Sequence, residues 1–280
     1  MRTRPFGPEA TAVPVVGQGT WHLELDDRSQ AIRALREGLD LGLTHLDTAE
    51  LYGSGEAERI VGEAIAGRRD QVFLVSKVMP SHATEAGTRR ACEASLERLR
   101  TDRLDLYLLH WPGSHPLEET IRAFEDLVAS GKIRAWGVSN FDVPLLARAR
   151  DLAGPGRIAC AQVLYHLGAR HLEAAVLPWC AKEKVAVVGY SPFGSGDFPS
   201  PSSPGGRLLA RIAKHHRATA RQVALSFLLR RELFLIPKAA RPAHVAENAK
   251  AADLDLSAAE IDRIAAAFPL DETEPELETL

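Results

Sequence analysis

"THLDTAELYGSGEAE" (residues 44–58) leaves a short apolar segment for an acid, a second acid, a tyrosine and two glycines. As a strand, "THLDTA" (44–49) carries Asp47 near its end and hands the chain to a polar turn. "GSGEAE" then reads as that turn and the first turn of a helix, with Glu56 and Glu58 suited to the helix's positive end. The same order of short apolar run, polar turn and longer amphipathic stretch recurs in both directions along the chain. Strand candidates lie at 15–21, 72–78, 104–111, 133–140, 158–166, 185–192 and 233–239, which with 44–49 makes eight. The runs are apolar through most of their length, as parallel strands covered by helices are.

Between them the period changes to helical. "SQAIRALREGLDLG" has Ser29 as cap, Ile32, Leu35 and Leu39 on one stripe and Gly42 as stop. "LEETIRAFEDLVASGK" aligns Leu117, Ile121, Phe124, Leu127 and Val128 before Gly131. "TARQVALSFLLRR" opens on Thr219, and "SAAEIDRIAAAF" on a Ser257–Glu260 capping box. Strict strand–helix alternation over eight units predicts an α/β fold, one (β/α)₈ barrel domain spanning 1–280. The rival is an open doubly wound sheet, but no G-x-G-x-x-G follows the first strand. The Pro-, Ser- and Gly-rich segment 193–207 reads as a loop without regular structure and as a functional flap. The acidic end, 270–280, reads as a loosely ordered tail.

A chain of 280 residues fits such a barrel, which needs about 250. The net charge of −3 offers no footprint for nucleic acid or for an anionic membrane. No apolar run approaches the roughly 20 residues of a membrane helix, and the N-terminus has no apolar signal-peptide core. Cys92, Cys160 and Cys180 are odd in number and lack metal-type spacing, so they read as reduced, buried or half-buried packing residues. A cytoplasmic protein is expected.

Barrel chemistry sits at the C-terminal ends of the strands. There the sequence offers Asp47, Tyr52 in the loop beyond it, Lys77 and His110. Each has a bland alternative: a turn cap, a packed aromatic, a structural salt bridge, a satisfied core histidine. Their joint placement at corresponding strand ends is what those alternatives leave unexplained. The set suits proton transfer by a phenol. Free tyrosine has a pKa of about 10, and a lysine beside it is expected to lower that value. A carboxylate beyond the lysine would fix its ammonium, and the histidine would orient a substrate oxygen. Such a site protonates a carbonyl oxygen as hydride reaches carbon, and the hydride must come from a cofactor.

From "GQGTW" (17–21) to "ENA" (247–249) these segments resemble the aldo-keto reductase family. "LDTAELYG", "SKV" and "LLHWP" are similar to its catalytic segments, which implies the tetrad Asp47, Tyr52, Lys77 and His110. The resemblance implies NADPH as cofactor. "GVSNF", "AQVLYH" and "GYSPFG" supply Ser139, Asn140 and Gln162 for the nicotinamide amide, Tyr190 to stack on its ring, and Ser191, Phe193 and Gly194 near the pyrophosphate. Gly19 and Thr20 join them at the first strand. "IPKAARPAHVAEN" (236–248) implies Lys238 for the 2′-phosphate, Arg241 and His244 beside it, and Glu247 and Asn248 at the adenine. Two departures weaken the phosphate site: Ala239 stands where many members have Ser, and His244 where many have Arg. NADH is therefore the lesser alternative. Trp21 and Trp111 resemble the substrate-pocket walls. Short loops imply an open site tolerant of small aldehydes and ketones, dicarbonyls of the methylglyoxal kind included, in a monomeric reductase. The competing expectations are a non-catalytic nucleotide-binding regulatory subunit of the same fold, and a metal-dependent barrel hydrolase. The hydrolase reading lacks further strand-end histidines, since "HH" at 215–216 reads as a solvated helix face; no metal is expected.

Overall fold

The computed structural model describes residues 1–270 and Thr279. An antiparallel hairpin, β1 (Thr3–Phe6) and β2 (Thr11–Pro14), opens the chain. Eight parallel strands follow: β3 (Gln18–Gly19), β4 (His45–Asp47), β5 (Phe73–Val78), β6 (Leu104–Leu109), β7 (Ile133–Ser139), β8 (Ile158–Leu164), β9 (Ala186–Tyr190) and β10 (Phe234–Ile236). They pair in chain order, and the two ends of the sheet meet. Parallel bridges join Val16 to Leu235 and Gly19 to Lys238, and the Gly17 amide donates to the Leu235 carbonyl at 2.8 Å. The sheet is thus a closed barrel, as the eight-unit alternation predicts.

Ten helices accompany the strands among the described residues: α1 (Arg28–Asp40), α2 (Glu56–Ala64), α3 (Glu85–Leu99), α4 (Leu117–Ala129), α5 (Val143–Ala153), α6 (Val176–Glu183), α7 (Pro204–His216), α8 (Ala220–Leu229), α9 (Pro242–Ala251) and α10 (Ala258–Ala267). None is long and apolar enough to cross a membrane. The capping boxes at Thr219 and Ser257 both form. Ser29 does not cap α1; Asp27 does, its carboxylate accepting from the Gln30 amide, because the helix starts two residues earlier.

The segment 193–207 is also more ordered than its composition suggests. A short 3₁₀ turn occupies Gly194–Gly196, and α7 begins at Pro204 with Ser203 as cap. Gly205 and Gly206 lie inside that helix for lack of space rather than for freedom. A Cβ at Gly206 would fall 1.9 Å from the Ser200 carbonyl, and one at Gly205 would fall 2.5 Å from the Phe268 ring. The tail at 270–280 lies outside the described residues, apart from Leu270 and Thr279.

Two apolar clusters divide the core. One fills the shell between strands and helices. The other fills the barrel, where Val75, Leu106, Leu108, Cys160, Val188, Phe234 and Ile236 meet Phe6 and Val13 from the hairpin. The hairpin is therefore a plug in the barrel floor, with the Phe6 ring 4.9 Å from both Phe73 and Phe234. All three cysteines are buried and unpaired. Burial pushes the Cys92 and Cys180 thiols up to about 12, so they are inert packing groups.

Candidate active site

Strand alternation builds the site. Along the inner face of β5 the residues are Phe73, Val75 and Lys77; beyond β6 the sequence Leu106, Leu108, His110 keeps the same parity. β4 gives His45 and Asp47, β8 gives Cys160 and Gln162, and β9 gives Ala186, Val188 and Tyr190. Each series starts among the residues of the floor and ends in a polar group at the mouth. The polar ends are what the apolar runs of the sequence terminate in.

At the mouth Lys77 is fully buried, and its ammonium spends all three N–H groups. It donates to Asp47 Oδ1 at 2.5 Å, to the Thr48 carbonyl at 3.0 Å and to the Tyr52 phenol oxygen at 3.2 Å. Asp47 is equally fixed: its Oδ2 accepts from Gln162 Nε2 at 2.7 Å, and its backbone carbonyl accepts from Thr20 Oγ1 at 2.9 Å. The Tyr52 ring meets the His110 ring edge to face at 5.6 Å. Because lysine donates to the phenol oxygen, the phenol's own proton is free to face the cleft.

The charges differ from the expectation in one respect. Burial raises the Tyr52 pKa more than the Lys77 ammonium lowers it, so the phenol lies above its ordinary value, not below it. The group is therefore a proton donor throughout the neutral range. Burial also opposes the Lys77 ammonium, but the Asp47 carboxylate and Tyr52 outweigh it and hold its pKa up. His110 is pushed down to about 2 by burial and then by Lys77, so its ring is neutral; its Nδ1 has no partner among the described residues.

Two adjoining cavities open here. The first, about 470 Å³, is lined by Trp21, Leu51, Trp111 and Pro112 on its apolar side. Tyr52, His110, Ser139, Asn140, Gln162 and Tyr190 form its polar side, with Thr279 also on the wall. The second, about 280 Å³, continues past Trp21, Tyr52 and Tyr190 to Gly19, Thr20, Ser191, Phe193 and Lys238. Tyr190 donates from its hydroxyl to Asn140 Oδ1 at 2.9 Å, and Asn140 Nδ2 donates to the His110 carbonyl at 3.2 Å. His22, Ser54, Asn140, Ser191 and Ser195 all hold positive φ in these mouth loops. Such strain in non-glycine residues gathers where a ligand is gripped. A long cleft with amide and hydroxyl groups at one end and a lysine at the other suits a dinucleotide.

Some expected residues lie elsewhere. Arg241, His244, Glu247 and Asn248 stand in or beside the first turns of α9 and line neither cavity. Glu247 accepts from Thr219 Oγ1 and braces the cap of α8, and Gly194 belongs to the loop turn. Gln162, the residue expected at the nicotinamide amide, does line the first cavity, with its Nε2 donating to Asp47. Three contributors have no role in the sequence reading. Leu51 and Pro112 line the first cavity, and Glu50 accepts from the Met79 amide at 2.7 Å, tying the loop after β4 to the one after β5. Nor is "HH" a plain solvated face: His215 and His216 both reach the Glu260 carboxylate, linking α7 to α10 away from the mouth.

Residues 15–268 match the pattern of the aldo/keto reductase family. The chain is 46% identical over 261 residues to the methylglyoxal reductase YeaE of Escherichia coli, covering 92% of each. It is 32% identical to a glyoxal reductase of Bacillus subtilis, covering 90% of this chain and 88% of that one. A crystal structure of an aldo/keto reductase from Klebsiella pneumoniae in complex with NADP and acetate superposes with a TM-score of 0.92 at 43% identity, over 100% of this chain and 99% of the other.

Proposed function

The chain belongs to the aldo/keto reductase family, and we propose that it reduces small, uncharged aldehydes and ketones, 1,2-dicarbonyls among them, using NADPH. The observation that carries the reading is the unbroken chain Gln162–Asp47–Lys77–Tyr52 ending in a phenol at the cleft. The relatives' dicarbonyl substrates and the NADP held by the Klebsiella protein support it.

In this reading NADPH supplies hydride to the carbonyl carbon. Tyr52 gives its proton to the carbonyl oxygen, and Lys77 stabilises the phenolate left behind with an N–H already aimed at that oxygen. Asp47 balances the ammonium and, held by Gln162 and Thr20, keeps it in place. His110, neutral, hydrogen-bonds the substrate oxygen without competing as an acid. Ser139, Asn140 and Tyr190 receive the nicotinamide, Lys238 the 2′-phosphate, and the loop between Phe193 and Ser203 covers the pyrophosphate. Trp21, Leu51, Trp111 and Pro112 receive the substrate body. No formally charged side chain stands among the described residues of that cavity, hence the preference for uncharged carbonyls.

Exposed large apolar side chains among the described residues are few, and two of the six, Leu51 and Trp111, belong to the cleft, which favours a monomer; light scattering on the purified chain checks it. Unpaired buried thiols suit the reducing cytoplasm, which cell fractionation checks.

The decisive assay follows NADPH absorbance with and without a small aldehyde or a dicarbonyl. Oxidation should depend on the carbonyl, and Tyr52→Phe should lower kcat by about 10²–10⁴-fold, the weight of a general acid. Turnover that survives the substitution would remove Tyr52 from its role. Cofactor binding without any turnover would instead favour the regulatory alternative.

A further inference from the structure

Lys238, assigned above to the 2′-phosphate, already has an anionic partner. Its ammonium donates to Oδ2 of Asp26. Asp26 ends the 3₁₀ turn Leu23–Leu25 in the loop after β3, and Lys238 follows β10. These two strands are the ones that close the barrel: Gly19 bridges Lys238 and donates its amide to the Pro237 carbonyl at 3.2 Å. The ion pair therefore spans the seam at the end of the second cavity, whose wall includes Trp21, His22 and Lys238. Both side chains are about a third exposed, 36% for Asp26 and 34% for Lys238, so an arriving phosphate reaches them. The neighbouring acid, Asp27, is occupied as the cap of α1, which leaves Asp26 as the carboxylate that meets the lysine.

A carboxylate in this position acts oppositely on the two nicotinamide cofactors. It competes with a 2′-phosphate for the ammonium and repels its charge. The 2′-hydroxyl of NADH carries no charge and is a donor that a carboxylate tolerates. The same loop lacks the hydroxyl of a serine at Ala239 and the permanent charge of an arginine at His244. Arg241, the remaining cation of that loop's start, is exposed and lines neither cavity.

We propose that Asp26 is a specificity-determining residue that narrows the preference for NADPH over NADH by holding Lys238. The inference rests on the assignment of Lys238 to the 2′-phosphate, and the test separates the two. Calorimetric titration of the purified chain with NADP⁺ and with NAD⁺ gives a ratio of dissociation constants without turnover. Asp26→Asn should tighten NADP⁺ by about fivefold, the scale of an exposed ion pair, and leave NAD⁺ unchanged. Asp26→Glu should keep the wild-type ratio. A merely structural role would move both cofactors together, so equal changes, or none, in Asp26→Asn overturn the proposal. Lys238→Ala reports on the underlying assignment and should weaken NADP⁺ selectively. If it weakens both equally, that assignment fails and the proposal fails with it; if it is selective while Asp26→Asn is silent, only the proposal is lost.

Discussion

One residue separates His45 from Asp47 on the same strand, and both lie inside the same barrel, yet only Asp47 finds hydrogen-bond partners there. His45 belongs to the floor. It is fully buried, its ring packs edge-on against Phe73 5.5 Å away, and neither ring nitrogen has a partner among the described residues. Burial pushes its pKa down to about 4, a shift Asp47 only partly opposes. Lys77, at the mouth, is just as buried and keeps its charge, because every N–H has an acceptor. Burial sets the penalty at both levels; partners decide whether a charge survives it.

The strongest way to break that contrast is to remove the partners. Lys77→Met leaves Asp47 buried without its cation. Carbonyl reduction should fall by about 10²–10⁴-fold, and stability in denaturant by about 3–5 kcal/mol. Adding Asp47→Asn should return most of the stability and none of the activity. A single mutant as stable as wild type would show that the mouth is not held by this pairing.

Phe6→Ala attacks the floor instead. Deleting the plug's ring should cost about 3–5 kcal/mol, read from the unfolding midpoint, while kcat/KM of the folded protein stays unchanged. Equal damage to activity would mean that floor and mouth are one unit.

The smallest effect sharpens the comparison through pH. The unfolded His45 titrates near its ordinary value of about 6.5, and the folded one near about 4. Between those values the unfolded chain holds the extra proton, so His45 costs nothing above pH 6.5 and drains stability as pH falls toward 4. His45→Leu should flatten that part of the decline, measured as denaturant midpoints at pH 7 and pH 4.5. His110, also depressed, keeps its own share of the slope. An unchanged slope would mean that the floor imidazole is not the proton acceptor.

The barrel and the placing of Asp47, Tyr52, Lys77 and His110 at its mouth were legible because they rest on local signals: short apolar runs, a helical period, and polar residues where those runs stop. What escaped was set by long-range contact. The plug hides in "TRPFGPEATAV", which carries no strand signal with Pro5, Gly7 and Pro8 in it, and only the floor gives Phe6 a purpose. Gln162 meets Asp47 from 115 residues away. Glu58 suits the start of α2, as its position suggests, but it is also fully buried, accepting from Ser76 Oγ and Arg98 Nε. The direction of the Tyr52 shift is not legible in the sequence, which shows the lysine neighbour and not the dryness around the phenol.

The inner-face alternation gives the site a dependence on parity. Lys77 is inward only because an odd number of residues stands between it and Phe73, and the same holds for Asp47 and His45. Deleting one residue within β5 would turn the ammonium toward the helices and bring an apolar neighbour into the mouth, whereas the same deletion in a connecting loop changes only a length. The strands can thus exchange their terminal side chains freely but cannot change count by one, so new chemistry on this frame must come by substitution at strand ends and by insertion beyond them.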